Sequence, residues 1–212
     1  AAIKAGKPVY VEKPMCLNAK EALQISSFAK EKNVKMVVAH YRREHAIFKK
    51  IKQLLDEKMI GEVRFATIKF LRKPLKSNKE NLAQSVWRID PAISGGGLFH
   101  DMAPHQLDLM YYFFGSIKQM NGIGVNQASL YKADDLVTGN IVFNSGVVVN
   151  GIWCFSVADN LEEDQCEIIG TEGKINFSIF EANTITISKA GWDEVLHFES
   201  MQHVQLPMIE KV

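Results

Sequence analysis

The sequence predicts an α+β protein: a short parallel β-α-β-α segment, then a large, mostly antiparallel β-sheet with helices on one face. Three observations carry this. Over residues 1–60, short apolar runs alternate with stretches of helical period, the pattern of parallel strands joined by crossover helices. After Gly61 the chain reads as strand after strand, separated by turn residues such as Asn144-Ser145-Gly146 and Thr171-Glu172-Gly173. Connections of that kind make hairpins, hence antiparallel pairing. One long apolar helical stretch ending at Gly115 interrupts the strands and supplies a layer to pack on the sheet.

Residues 1–7 read as the end of a helix with a Gly C-cap at Gly6, so the sequence is expected to open inside a structural unit, as a piece of a longer protein. Val9–Val11 is a short buried-type strand. Asn18, with Glu21 three residues on, opens a helix by a capping-box-like start. Ala22, Ile25, Phe28 and Ala29 form its apolar face, and it ends near Asn33. Met36–Ala39 is the second strand, and Ile47, Ile51, Leu54 and Leu55 mark a second helix that stops by Gly61.

From Val63 to Leu71 one residue set alternates with another in a long β-rich run, and a loop follows to about Ala83. Pro104 is tolerated in a first turn but not deep in a helix, so the long helix is expected to begin near Asp101, with Gly95-Gly96-Gly97 as a flexible approach. Strands are expected over 120–125, 137–143, 147–155, 165–169, 175–180, 184–188 and 195–198. Ile152, Trp153 and Phe155 place apolar groups on both sides of one strand. The sheet therefore needs a cover on its second face, and another subunit in a dimer or tetramer would supply one. The division expected is residues 1–60 and 61–212.

Composition narrows the function. Apolar residues make up 47% of 212, and 25 Lys and Arg balance 24 Asp and Glu. No global basic field draws in nucleic acid or an anionic membrane, and no apolar run approaches the roughly 20 residues of a membrane-spanning helix. The cluster Arg72, Lys73, Lys76 and Lys79, interleaved with Pro74, Ser77 and Asn78, reads as a solvated loop first and a phosphate contact second. Cys16, Cys154 and Cys166 are odd in number and form no C-x-x-C pair, which points to reduced thiols and a cytoplasmic protein.

Three constellations can carry chemistry. Glu12-Lys13-Pro14 lies at the carboxyl end of a predicted parallel strand, where open α/β sheets place ligands; the competing reading is an ordinary strand exit. Asp101 and His105 are four apart and share a helix face, with Asp108 three further on. A histidine with a carboxylate one turn away can transfer a proton. The same residues equally make a helix N-cap, a structural hydrogen bond or, with His100, part of a metal site, although two or three ligands without others nearby argue against a metal. The glycine triplet lacks the Lys-Ser/Thr ending of a phosphate loop. The third group is His40-Tyr41-Arg42 with Trp87-Arg88: aromatic rings beside cations, suited to a hydroxylated or carboxylate ligand or to surface ion pairs, with core packing the default for Trp87 alone.

Taken in order, VEKP at 11–14, AHYRR at 39–43, IGEVRFATIKF at 60–70, WRIDPAISGGGLFHDMAPHQLD at 87–108, GTEGKINF at 170–177 and HVQLPMI at 203–209 resemble the glucose–fructose oxidoreductase / inositol dehydrogenase / MocA family over nearly the whole chain. The resemblance implies the tail of a Rossmann domain over 1–60 and a substrate-binding and oligomerisation domain over 61–212. It also implies bound NAD or NADP and reversible oxidation of a secondary hydroxyl of a sugar, inositol or related polyol. By matching positions, Glu12, Lys13 and Pro14 would adjoin the cofactor. Lys13, Asp101 and His105 would be catalytic, and Tyr41, Arg42, Trp87 and Arg88 would line the substrate pocket. The family's Gly-rich cofactor loop is expected upstream of residue 1. No metal is required by this reading. Rival readings are a catalytically silent ligand-binding or oligomerisation module of the same fold, and a metal-dependent lyase or isomerase using Asp101 and His105.

Overall fold

The structure is a computed structural model that describes residues 1–75, 87–181 and 183–212. Part of the expected loop to Ala83, with Lys76 and Lys79 of the basic cluster, lies outside the described residues.

A single turn of 3-10 helix over Ile3–Ala5 is closed by Gly6 at φ 67°. Strand β1 (Val9–Val11) pairs in parallel with β2 (Met36–Val38), and helix α1 (Ala19–Glu31) crosses between them. The Asn18 side chain accepts the Glu21 N–H at 3.0 Å, while Glu21 reaches back to the Leu17 N–H at 3.2 Å. Reciprocal capping of this kind satisfies N–H groups that the first turn leaves unpaired. A 3-10 turn over Tyr41–Glu44 leads into α2 (Ala46–Asp56). Ile47, Phe48, Ile51 and Leu54 bury its apolar face.

The remainder builds one eight-stranded sheet around β3 (Val63–Leu71). The other strands are β4 (Ile117–Val125), β5 (Leu136–Phe143), β6 (Val148–Cys154), β7 (Glu163–Gly170), β8 (Gly173–Phe177), β9 (Thr184–Lys189) and β10 (Trp192–His197). Their order is β10-β9-β8-β7-β3-β6-β5-β4. The hairpins are antiparallel as expected, but β3 and β6 pair in parallel, because β3 enters the sheet between two meanders rather than at an edge.

Alternation along β3 sorts its side chains. Ala66, Ile68 and Phe70 are buried, while Phe65 is exposed. The inner face carries the core. Phe48 of α2 meets Phe177, which meets Phe113, then Phe114 and Phe143, with ring centroids 5.6–6.3 Å apart. That chain of rings ties the helices to strands on both sides of β3. On the same strand β6, Trp153 is buried inward and Ile152 is exposed outward, so the two-sided apolar pattern is real and the outer face has no helix on it among the described residues.

Two expected boundaries are corrected. The β8 strand ends at Phe177, not at 180, because the Asp164 carboxylate accepts the backbone N–H groups of Ile179 and Phe180 at 3.0 and 2.6 Å, taking them out of the ladder. The long helix, here α4 (Gly97–Phe114), starts at Gly97 rather than near Asp101 and holds Pro104 inside it. Its start is set by a preceding short helix, α3 (Pro91–Ser94), which Asp90 caps. Ser94 Oγ accepts the Gly97 N–H at 2.9 Å. The glycines are a packed joint, not a flexible approach: Gly95 and Gly97 have φ of 85° and 72°, and a Cβ on Gly97 would lie 2.3 Å from Ala133 Cβ. Finally, α5 (Leu206–Ile209) folds back toward the parallel strands. There Gln205 binds Glu12 at 2.8 Å, and the Val204 carbonyl meets His45 Nε2 at 2.8 Å.

Candidate active site

The site lies where the carboxyl ends of β1 and β2 meet α4. Lys13, two residues past β1, donates from Nζ to the Asp101 carbonyl oxygen at 2.7 Å and to Asp101 Oδ1 at 2.9 Å. A mid-helix carbonyl is normally committed to the N–H four residues on. Pro104 has no N–H to offer the His100 carbonyl, and the next carbonyl, that of Asp101, takes Lys13 Nζ. The other Asp101 oxygen, Oδ2, accepts from Arg88 Nε at 3.1 Å. One carboxylate therefore holds two cations from opposite sides. Lys13 and Asp101 are mostly shielded from solvent, so the pair is stronger than an exposed one.

His105, one turn along α4, is 4% exposed. Its ring packs edge-on against Tyr41 at 5.4 Å and Phe180 at 5.5 Å. Its buried Nδ1 has no hydrogen-bond partner among the described residues. Burial above all, then the cations Arg42 and Lys13 and the rings of His40 and His45, pushes its pKa down to about 2. The imidazole is neutral at any ordinary pH. Asp101 does not bind His105; its oxygens face Lys13 and Arg88. The shared helix face brings the two side chains to one site without making them a hydrogen-bonded pair.

The other candidate residues separate. The Arg88 guanidinium lies 4.5 Å from the Trp87 ring centroid, and Trp87 is 39% exposed, so it is not the core residue that composition favours. Arg42 is 8% exposed. It donates from Nη1 to the Ile179 carbonyl and stacks 4.5 Å from the Phe180 ring; burial lowers its pKa. It lines a polar cavity of ≈ 370 Å³ with His45, Glu181, Asn183 and Ser200, on the far side of Phe180 from His105. Glu12 is turned to Gln205 rather than to Lys13's neighbours. Pro14, after a cis peptide bond, lines a cleft of ≈ 270 Å³ with Met15, Val38, His40, His100 and Pro104. His40 Nδ1 and His100 Nε2 are buried there without partners among the described residues.

Sequence reasoning missed Phe180, the ring between His105 and Arg42, since it reads as one more strand residue. It also missed the Arg43–Asp108 pair, with Nε–Oδ2 2.7 Å and Nη2–Oδ1 2.5 Å. The signals were Asp108 on the stripe of Asp101 and His105, and the second arginine of AHYRR. Among the described residues, no cluster of three or more His, Cys, Asp or Glu side chains converges as a metal site.

A lysine delivered from a parallel strand end thus meets a carboxylate on a helix that lies on a large mixed sheet. Comparison with known proteins is specific. Residues 48–176 match the GFO/IDH/MocA C-terminal domain, and the chain belongs to the Gfo/Idh/MocA family. It is 44% identical over 210 residues to Oxidoreductase P35 of Formosa agariphila, covering 99% of this chain and 64% of that protein. It is 31% identical over 118 residues to the scyllo-inositol 2-dehydrogenase (NADP(+)) IolW of Bacillus subtilis, covering 56% and 31%. The chain thus spans about two thirds or less of the length of these relatives. In fold it resembles a levoglucosan dehydrogenase solved with NADH and levoglucosan, at TM-score 0.83 and 21% identity over 99% of this chain and 63% of the other. It also resembles an inositol dehydrogenase homolog from Azotobacter vinelandii solved with NAD+, at TM-score 0.81 and 19% identity over 97% and 55%.

Proposed function

We propose that this chain carries the catalytic groups of an NAD(P)-dependent dehydrogenase that oxidises a secondary hydroxyl of a sugar, inositol or related polyol. The observation that carries the reading is the Lys13–Asp101–Arg88 network, set beside a buried neutral His105 at the carboxyl ends of two parallel strands.

The residues fit a nicotinamide. The cleft over Pro14 is lined mostly by apolar side chains, with His40 and His100 in its wall, which suits a flat ring with a polar edge. Glu12, Lys13 and Pro14 are the residues of this chain proposed to adjoin the cofactor, Glu12 through backbone placement, its side chain being held by Gln205. When bound, the nicotinamide accepts the hydride from the substrate carbon.

Lys13 spends two of its three N–H donors on Asp101, which leaves the third to donate to the reacting oxygen and stabilise developing negative charge. His105 takes the hydroxyl proton on a ring nitrogen. The ring is neutral in this site, and negative charge developing on the reacting oxygen beside it raises its basicity toward what the transfer needs. Asp101 fixes Lys13 and Arg88; Arg88, Trp87 and Tyr41 supply polar and ring contacts for the hydroxylated substrate, and Arg42, committed to the Ile179 carbonyl and Phe180, backs that wall through the Tyr41 ring. The rest of the reading follows the same lines: a cofactor-binding unit contributing 1–60, a substrate unit of 61–212, a cytoplasmic setting and a homo-oligomer formed through the outer sheet face.

The test is a panel of cyclic polyols and sugars with NAD and NADP, using the full-length protein and following absorbance of the reduced cofactor. Reduction with at least one polyol is expected, together with loss in Lys13→Ala. Absence of reduction across the panel, or an undiminished rate in Lys13→Ala, overturns the reading.

A further inference from the structure

Asp101, His105 and Asp108 stand at i, i+4 and i+7 of α4 and so share one face. Each carboxylate takes a cation from a different strand end. Lys13, past β1, holds Asp101 one turn before His105. Arg43, past β2, holds Asp108 one turn after it through two parallel N–H···O contacts of 2.7 and 2.5 Å. Asp108 is largely buried. The Arg43 guanidinium also lies 5.9 and 5.6 Å from the rings of Tyr111 and Tyr112. Two residues before Arg43 is Tyr41, whose ring touches His105, and His40 Nδ1 sits 3.7 Å from Asp108 Oδ1.

We infer that Arg43 and Asp108 are positioning residues for the reaction: their fork fixes the distance and angle of α4 against the end of β2, and with them the placement of His105 relative to Lys13. A bidentate guanidinium–carboxylate pair sets direction as well as separation, which an ammonium does not. Neither residue needs to touch substrate. They act through Tyr41 and the helix. The Lys13–Asp101 pair anchors α4 one turn before His105, and the Arg43–Asp108 pair anchors the same face after it, so the ring sits between two charged fixings.

The kinetic consequence rests on the dehydrogenase reading; the geometric one does not, and the experiment reads both. Arg43→Gln, Asp108→Asn and Arg43→Lys are made in the full-length protein. Melting temperature, kcat and KM are measured, and the His105 imidazole is titrated by NMR, assigned by its loss in His105→Gln. The titratable and charged groups bearing on that ring are Lys13 past β1 and His40, Tyr41, Arg42 and His45 around the turn before α2, while Asp101 and Asp108 on its own helix are turned to Lys13, Arg88 and Arg43. The expected result is a fall in kcat of roughly ten- to a hundred-fold for the two neutral variants, a KM for cofactor close to wild type, and a His105 titration moved up toward the ordinary 6.5. Arg43→Lys, which keeps the charge without the fork, is expected to be several-fold impaired, and it decides the case where a neutral variant does not fold. A lowered melting temperature with kcat and the His105 titration unchanged, or an Arg43→Lys variant equal to wild type, overturns the inference. If the wild-type protein oxidises no polyol, the dehydrogenase reading falls by itself; an unshifted His105 titration in Arg43→Lys then overturns the clamp separately.

Discussion

Lys13 and Asp101 lie 88 residues apart in the chain and 2.9 Å apart in space, and that contact joins the parallel strand pair to the helix that lies on the large sheet. Asp101 also holds Arg88, so the carboxylate is the hub of the site and His105 is its neighbour. Removing the hub leaves two cations facing each other in a partly desolvated place.

Asp101→Asn keeps the shape but removes the charge. Turnover of a polyol substrate by the full-length protein is expected to fall by roughly two orders of magnitude, since Lys13 loses the charged oxygen that fixes it. Stability to urea is expected to drop by about 1–3 kcal/mol. An Asn variant with wild-type kcat contradicts the role given to Asp101.

Stability should depend on pH through His105. Its folded pKa, about 2, lies below the 6.5 of the unfolded chain. Below 6.5 the unfolded chain binds a proton there that the native state refuses. The native state therefore loses stability as pH falls from 6.5 toward 2, by up to about 1.4 kcal/mol per pH unit. His40 and His45, lowered by burial, act with the same sign. Asp164, raised by burial, acts with the opposite sign. In His105→Gln, the slope of unfolding free energy between about pH 6 and about pH 4 should shrink by close to one proton. Urea titrations at several pH values measure it, and an unchanged slope means that His105 is not the buried neutral group described here.

Much of this was legible in the sequence, and what was not has identifiable causes. The capping of α1 by Asn18 and the outward Ile152 beside the inward Trp153 follow from local chemistry and a period of two, and both are where the pattern puts them. The start of α4 is not, because the Asp90-capped turn of α3 and the Ser94 hydroxyl that takes the Gly97 N–H set it, and a rule about Pro104 alone contains neither. The parallel placement of β3 beside β6 is a long-range choice that no local pattern encodes. Asp101 and His105 were legible as a shared face, but spacing alone does not say which cation each side chain meets. Lys13, Arg88, Arg43 and Phe180 reach the site from four separate stretches of chain.

The glycine joint before α4 gives a sharper test of packing. Gly97 has φ of 72°, and a Cβ there would sit 2.3 Å from Ala133 Cβ. Gly97→Ala combines left-handed backbone strain of about 1–2 kcal/mol with a collision in a buried spot, and should lower stability by about 2 kcal/mol or more. Adding Ala133→Gly removes the collision but not the strain. The double variant should recover part of the loss, and the two substitutions should be non-additive. Additive losses in urea unfolding show that the two residues do not meet.

The outer sheet face carries the last prediction. Phe65, Ile123 and Ile152 are exposed there at 39–65%. Asn121, Asn140 and Asn150 line up across three adjacent strands, with Asn140 bonded to both neighbours. An apolar face with a satisfied amide row is costly to leave in water and needs no charged partner. A second copy, which presents the same face about a two-fold axis, covers it without demanding new complementarity. In the full-length protein, Ile123→Lys with Ile152→Lys should convert such an oligomer to monomer in analytical ultracentrifugation, because it would bury two ammonium groups per copy in the apolar part of the face. The melting temperature should become independent of protein concentration. A wild-type protein that is already monomeric, or an oligomer that survives both lysines, removes the outer face as the interface.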